Sequence, residues 1–327
     1  HFNRGEALTQ LGRLDEAEDA YRKAIDSDPN YVEAHVRIGL LLEREPERLE
    51  EALAAFARAT ALEPDNIPAH AHRAQALNAL GEFAEAVAAF ERVLELDPQN
   101  LWAIINRAAL LSNRLSRYEE AAEAFSEALR LDPNNAILHR NLGVTLGKLG
   151  RYADALRACD RSLQLEPGSP TALRGKAVGL RGLGKFEEAL EVARMVGGPK
   201  AASFRITLLR DLGRDAEARS LARECLGSVP EGTAPAFLAW LCAQAGEGER
   251  ALELLASCEE PHAPGDMHQR ACVLALLGKA DAALDWLGRA VEAGYRVAAN
   301  APPDPDFALL EQDSRYRALL EKLRRGR

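Results

Sequence analysis

The residues able to do chemistry are few and dispersed. Five cysteines, Cys159, Cys225, Cys242, Cys258 and Cys272, are odd in number, and the closest two lie 14 residues apart. No CxxC pair occurs, so the spacing supports neither a redox dithiol nor a tight Cys/His zinc set. Most occupy positions where a helix buries a small apolar residue, which is where free cysteine usually sits; ordinary core thiols in a reducing compartment are expected. His35, His70 and His139 fall in one slot of a recurring unit, and His72 points to a different helix face from His70. A slot that recurs has a packing role. With no HExxH or HxxxH pair, no metal site and no cofactor are expected. Gly179-x4-Gly184-Lys185 approaches a phosphate-binding loop, but Phe186 stands where Ser or Thr would reach magnesium, and a helix precedes it where a strand is required. No GxSxG elbow is present. Glu187, Glu188 and Glu191 lie on an outer helix face, where carboxylates are simply solvated. No catalysis is expected of these residues.

The elements that carry them are helical. Aromatic residues make up 6% of the chain while Ala, Leu, Glu and Arg abound, a composition that favours helix over an all-β fold. A length of 327 residues exceeds what one hydrophobic core usually serves, so two domains or an elongated repeat array is expected. Fifty acidic against 41 basic side chains give a net charge of −9 with no basic block. That balance argues against nucleic acid or an anionic membrane surface, since neutralising phosphate needs clustered positive charge. No apolar run reaches the roughly 18–20 residues of a membrane span, so no membrane insertion is expected. The first residue is His1 rather than Met, which implies a processed or cut chain; a cytoplasmic location is expected.

Internal repetition is the strongest signal. Pro29, Pro64, Pro98, Pro133 and Pro167 are spaced by 35, 34, 35 and 34 residues. Ahead of each runs one phrase, from Ala17-x3-Tyr21-x2-Ala24 through Ala52-x3-Phe56-x2-Ala59, Ala86-x3-Phe90-x2-Val93 and Ala121-x3-Phe125-x2-Ala128 to Ala155-x3-Cys159-x2-Ser162. Spacings of three and four write one helical face. A glycine recurs between the halves of a unit (Gly12, Gly81, Gly150, Gly184, Gly213, Gly278), as expected where a helix ends in a left-handed residue. Proline after an acidic residue, as in Asp97-Pro98, closes the second helix, because proline lacks the N–H and disfavours helix at the residue before it. Small residues Gly5, Gly39, Ala74, Ala108, Gly143 and Ala177 permit close approach of two helices. Insertions near Glu45–Glu47 and Asn113–Ser116 fall in inter-helix turns, where an extra residue costs least.

This pattern resembles the tetratricopeptide repeat family, whose units are 34-residue helix pairs with these small, aromatic and proline slots. The resemblance implies an all-α, right-handed α-solenoid of about nine helix pairs. Residues 1–167 hold five regular units. Residues 168–294 hold four degenerate ones, in which Ala189, Ala218, Ala251 and Ala283 keep the second-helix alanine while Ala193, Ala222, Leu255 and Leu287 replace the aromatic. Residues 295–327 form a loop and a C-terminal capping helix. The tail phrase from Asp306-Phe307 to Leu319-Leu320 is similar to the closing segment after many bacterial arrays, with Glu321, Lys322, Arg324 and Arg325 suited to a polar outer face. The first repeat begins without a visible cap, and Phe2 and Leu8 are expected to be exposed there and to permit self-association.

In this family the first helix of each pair, helix A, lines the concave side, and such surfaces bind partners. Taking Leu138, Leu142, Leu146 and Leu149 as the core stripe of one helix A turns Arg140, Asn141 and Lys148 to the groove. The same register exposes Asn106 one repeat earlier, Arg174 and Arg181 one repeat later, and Lys200 and Arg210 after that. Asn106 and Asn141 share a slot whose carboxamide can pair with a peptide backbone. The basic residues form a stripe on an acidic chain. The expected function is therefore a non-enzymatic scaffold that binds a protein or peptide, acidic in character, in its groove. The alternative is the recruiting or regulatory arm of an enzyme whose catalytic domain precedes residue 1.

Overall fold

The computed structural model describes residues 1–228, 233–258, 261, 263–298 and 301–325. Every regular element among them is helical, and nine consecutive pairs account for eighteen of the nineteen α-helices. In chain order the pairs are α1 (Phe2–Gln10) with α2 (Leu14–Ser27), α3 (Val32–Leu42) with α4 (Leu49–Leu62), α5 (Ile67–Leu80) with α6 (Phe83–Leu96), and α7 (Leu101–Asn113) with α8 (Tyr118–Leu131). There follow α9 (Ala136–Lys148) with α10 (Tyr152–Leu165), α11 (Pro170–Gly182) with α12 (Phe186–Arg194), and α13 (Pro199–Asp211) with α14 (Asp215–Gly227). The last are α15 (Pro235–Ala245) with α16 (Gly248–Ser257) and α17 (Pro264–Leu276) with α18 (Ala280–Glu292); a 3-10 turn at Pro305–Leu310 and α19 (Ser314–Arg325) close the chain. Odd-numbered helices up to α17 are the A helices.

Two compact units divide the chain, His1–Asn134 and Asn135–Arg327. The first holds four pairs; the second holds five pairs and the tail. Sequence regularity fades near residue 167, whereas compactness breaks between the fourth and fifth pairs.

Local chemistry explains why each pair forms. The inter-helix glycines named above all have φ between 70° and 85°, which L side chains resist; Gly81 closes α5 this way, accepting no Cβ strain. The two insertions lie in turns, one as a short 3-10 turn at Pro46–Arg48 and the other around Ser116 at φ 55°. Two residues beyond Pro64, Pro98 and Pro133 an asparagine caps the following helix A: Asn66, Asn100 and Asn135 accept from the N–H groups of Ala69, Ala103, and Ile137 with Leu138. The helix-B alanine is buried in all nine pairs, and Tyr21, Phe56, Phe90 and Phe125 are all at most 2% exposed. They fill the wedge between units. In the degenerate pairs Ala193, Ala222, Leu255 and Leu287 are buried in the same slot, so smaller side chains serve where the aromatics are lost.

Two expectations need correction. Leu8 is buried, and Phe2 packs its ring against Tyr21 and Tyr31 at centroid distances of 5.6 and 4.9 Å, so those two residues do not form an exposed apolar face. The tail also does more than cover the last pair. Its α19 packs on α18, with Glu321 and Lys322 exposed as expected. Its 3-10 turn instead lies against α17 and α13, and Phe307 and Leu310 join the core of the second unit. Arg324 turns inward, donating to the Ala301 carbonyl at 3.0 Å, and so does not belong to a polar outer face.

Candidate functional site

The residues expected to bind belong to A helices of both units. In the first, Asn106 is half-buried and donates its Nδ2 to the Trp102 carbonyl at 2.8 Å, so one of its donors is held by its own helix. Trp102 is 41% exposed and meets Phe90 edge-on at 5.4 Å.

In the second unit the basic stripe divides. Arg140 and Asn141 sit half-buried on α9, with the guanidinium Nε donating to the Asn141 Oδ1 at 3.3 Å, and Lys148 is exposed at the end of that helix. Arg174 is exposed on α11, in the slot equivalent to Arg140. Arg181 and Arg210 differ. Arg181 grips both oxygens of Asp211 at 2.6 and 3.2 Å and donates to the Pro303 carbonyl at 3.3 Å. Arg210 pairs with Asp306 at 2.6 Å. Both are less than one-fifth exposed, so their charge is already matched by the chain. They hold the tail across the A face. Lys200 belongs to α13, and its side chain lies outside the described residues.

Asp306 is the anchor of that crossing. Its carboxylate accepts from Trp240 Nε1 at 2.7 Å and from Gln244 Nε2 at 2.7 Å as well as from Arg210. Burial, reinforced by neighbouring Asp304, pushes its carboxyl up to about 6, against the pull of Trp240, Arg210 and Gln244. Such a group is stable inside a protein only because every oxygen is bonded.

Between the tail and the A helices α11, α13, α15 and α17 lies a cavity of about 530 Å³. Arg174, Phe204, Trp240, Tyr295 and Arg324 line it, and so do His268, Cys272 and Asp304. His268 and Cys272 stand four residues apart on α17, which puts them on one face, and Asp304 comes to them from the tail. The Asp304 Oδ2 lies 3.6 Å from His268 Nε2 and 3.8 Å from Cys272 Sγ; the sulfur is 3.6 and 3.9 Å from the ring's Nδ1 and Nε2. Sequence spacing alone does not assemble this set. The His268-x3-Cys272 spacing was readable, but Asp304 is 32 residues further on and nothing local announces it. Burial drives His268 down to about 4, so its ring is neutral at physiological pH, and burial raises both the Cys272 thiol and the Asp304 carboxyl. Asp304 is 37% exposed and lines the cavity.

An array of helix pairs with an A face partly open and partly crossed by its own tail defines the class: helical repeat scaffolds. Family models described as tetratricopeptide repeat or TPR repeat match residues 5–45, 43–108, 107–170 and 140–203. The chain belongs to the tetratricopeptide repeat family, whose fold is that of protein–protein interaction scaffolds. A segment of 74 residues, 23% of this chain, is 38% identical to the Protein O-mannosyl-transferase Tmtc2 of Drosophila melanogaster, and the chain spans only 8% of that relative's length. Among solved structures, PilW, a widely conserved type IV pilus biogenesis factor, shares the fold with a TM-score of 0.52 and 21% identity, over 62% of this chain and 95% of that one. YrrB, a TPR protein with an unusual peptide-binding site, gives 0.49 and 22% identity, over 54% and 91%. No helix among the described residues is long and apolar enough to cross a membrane.

Proposed function

We propose that the protein is a non-catalytic scaffold that holds an acidic peptide or helix on the exposed A faces of α9 and α11. The observation that carries this reading is the split in the stripe. Arg181 and Arg210 are matched by Asp211 and Asp306, while Arg140 and Arg174 repeat one slot on successive A helices. Arg174 stands at the cavity, which offers an apolar recess lined by Phe204 and Trp240 for one side chain of the ligand. Asn141 adds a carboxamide for the ligand backbone. Positive charge on an acidic chain selects partners by charge complementarity and speeds encounter more than it raises affinity.

The test is a fluorescence-anisotropy titration of labelled acidic peptides at low and high salt. Arg174→Glu should weaken binding and flatten its salt dependence, because a screened attraction is replaced by repulsion. Asn141→Ala should weaken binding by about 1 kcal/mol and leave the salt slope unchanged. Glu187→Lys, on the exposed face of α12, should bind as the parent does. Variants at Arg174 and Asn141 that bind normally, beside a Glu187→Lys that does not, would move the site to the outer surface.

A further inference from the structure

His268, Cys272 and Asp304 bring three different metal-ligating atoms to one point, all within 4.8 Å of one another. The His268 Nε2 to Asp304 Oδ2 separation of 3.6 Å exceeds a good nitrogen–oxygen hydrogen bond of about 2.7–3.2 Å, and the two sulfur contacts, at 3.8 and 3.9 Å, are long ones. They are close to the edges of a coordination polyhedron. With bonds of about 2.0–2.3 Å to N, O and S around a tetrahedral ion, ligand atoms sit roughly 3.3–3.6 Å apart. A contraction of a few tenths of an ångström would seat an ion.

We propose that His268 Nε2, Cys272 Sγ and Asp304 Oδ2 form a divalent-metal site, of the class that takes zinc, with its fourth position open to the cavity. The donor set decides the metal. One sulfur, one imidazole and one carboxylate suit a borderline-soft ion and not magnesium or calcium, which want oxygen. On binding, the Cys272 S–H bond breaks, its proton leaves to solvent, and the sulfur electron pair forms the bond to the ion.

Supporting contacts hold all three donors. Tyr295 stacks on the His268 ring at 4.3 Å, with Phe307 tilted against it at 5.7 Å. The second carboxylate oxygen of Asp304 accepts the Asp306 N–H at 3.0 Å, which leaves Oδ2 turned to the thiol and the ring. Asp306 in turn is fixed by Trp240, Gln244 and Arg210. Such outer contacts orient metal ligands and tune their affinity. A divalent ion would neutralise the carboxylate oxygen and the thiolate sulfur together. The cavity supplies the entry path. Three protein ligands and an open position distinguish such a site from a closed structural one.

The experiment loads the tag-free full chain with zinc or cobalt ion alone. Elemental analysis after equilibrium dialysis should find one zinc per chain, and the cobalt form should show a thiolate-to-cobalt charge-transfer band. Cys272→Ala should abolish the band. Asp304→Asn should weaken zinc binding by about tenfold or more, since even outer-contact changes cost 10- to 100-fold. Cys225→Ser, which removes a thiol outside the cavity, should bind zinc and show the band as the parent does. Cobalt spectra of the unaltered chain need no variant to fold, so they decide alone if Cys272→Ala is unstable. Absence of stoichiometric zinc, or a cobalt spectrum lacking the thiolate band, would overturn the proposal. So would a band that persists in Cys272→Ala.

Discussion

His35 and His70 show what a recurring polar residue does in a repeat. Each Nε2 donates to the carbonyl of the proline that closed the preceding helix B, Pro29 at 3.0 Å and Pro64 at 2.9 Å. The slot therefore ties helix A to the turn before it as well as packing. Glu18 and Arg48 make a comparable tie between the first two pairs. Arg48, in the inserted turn, grips both oxygens of Glu18 at 2.6 and 2.9 Å, and Glu18 is 13% exposed. The Arg48 bond holds the Glu18 carboxyl below its ordinary 4.5, outweighing the opposing effect of burial. A carboxyl whose folded pKa is lowered contributes stability above its unfolded pKa and loses it as pH falls through the folded one. Glu18→Gln should thus cost about 1 kcal/mol at neutral pH, measured by urea denaturation. The gap to the parent should close as the pH drops below 4.5. A gap that stays constant over that range would assign the effect to packing and not to charge.

At the scale of the element, the small slot of helix A and the large slot of helix B are one device. A Cβ built on Gly39 would lie 2.6 Å from Phe56 Cε1, and that ring is fully buried and cannot retreat. Gly39→Ala should therefore destabilise the first unit by about 1–3 kcal/mol, the usual result of overpacking. Gly147 has the opposite surroundings: its Cβ would meet only Val178 Cγ1 at 3.8 Å, an ordinary contact. Gly147→Ala should leave stability unchanged or raise it by about 0.5 kcal/mol, through helix propensity. Chemical denaturation of both variants checks the pair, and equal losses would mean the helix register is wrong. These slots were readable in advance because they are local and recur every 34 or 35 residues. Nine pairs, their glycine turns and the buried alanines all followed from that recurrence. The repeat placed Arg181 and Arg210 on their A helices, but gave no sign of their partners. Asp306 reaches Gln244, Trp240 and Arg210 across 62, 66 and 96 residues, and each contact occurs once. Periodicity reports what repeats. It is silent on a tail that folds back.

For the whole molecule, that tail departs from the usual logic of a repeat array. Each repeat ordinarily touches only its neighbours, so stability is close to a sum of local terms and adjacent interfaces. In the second unit the 3-10 turn at Pro305–Leu310 breaks this rule by packing on both α13 and α17, which belong to different pairs. Phe307, 1% exposed, stacks on Tyr316 at 5.4 Å and is part of the core shared by the degenerate pairs. The pairs with the weakest sequence pattern are thus the ones cross-linked from outside the repeat. The cross-link adds to the packing of Ala193, Ala222, Leu255 and Leu287 in the slot the aromatics leave. Phe307→Ala should cost about 3–5 kcal/mol, the range for removing a buried ring. The loss should be shared by α13, α15 and α17 instead of being confined to the tail. Amide hydrogen exchange, which resolves local opening from global unfolding, reads this directly. Protection should fall together in those three helices and remain unchanged in α1 to α8, which belong to the other compact unit. If exchange rises only within residues 301–325, the tail is a passive cover and the degenerate pairs stand on neighbour contacts alone.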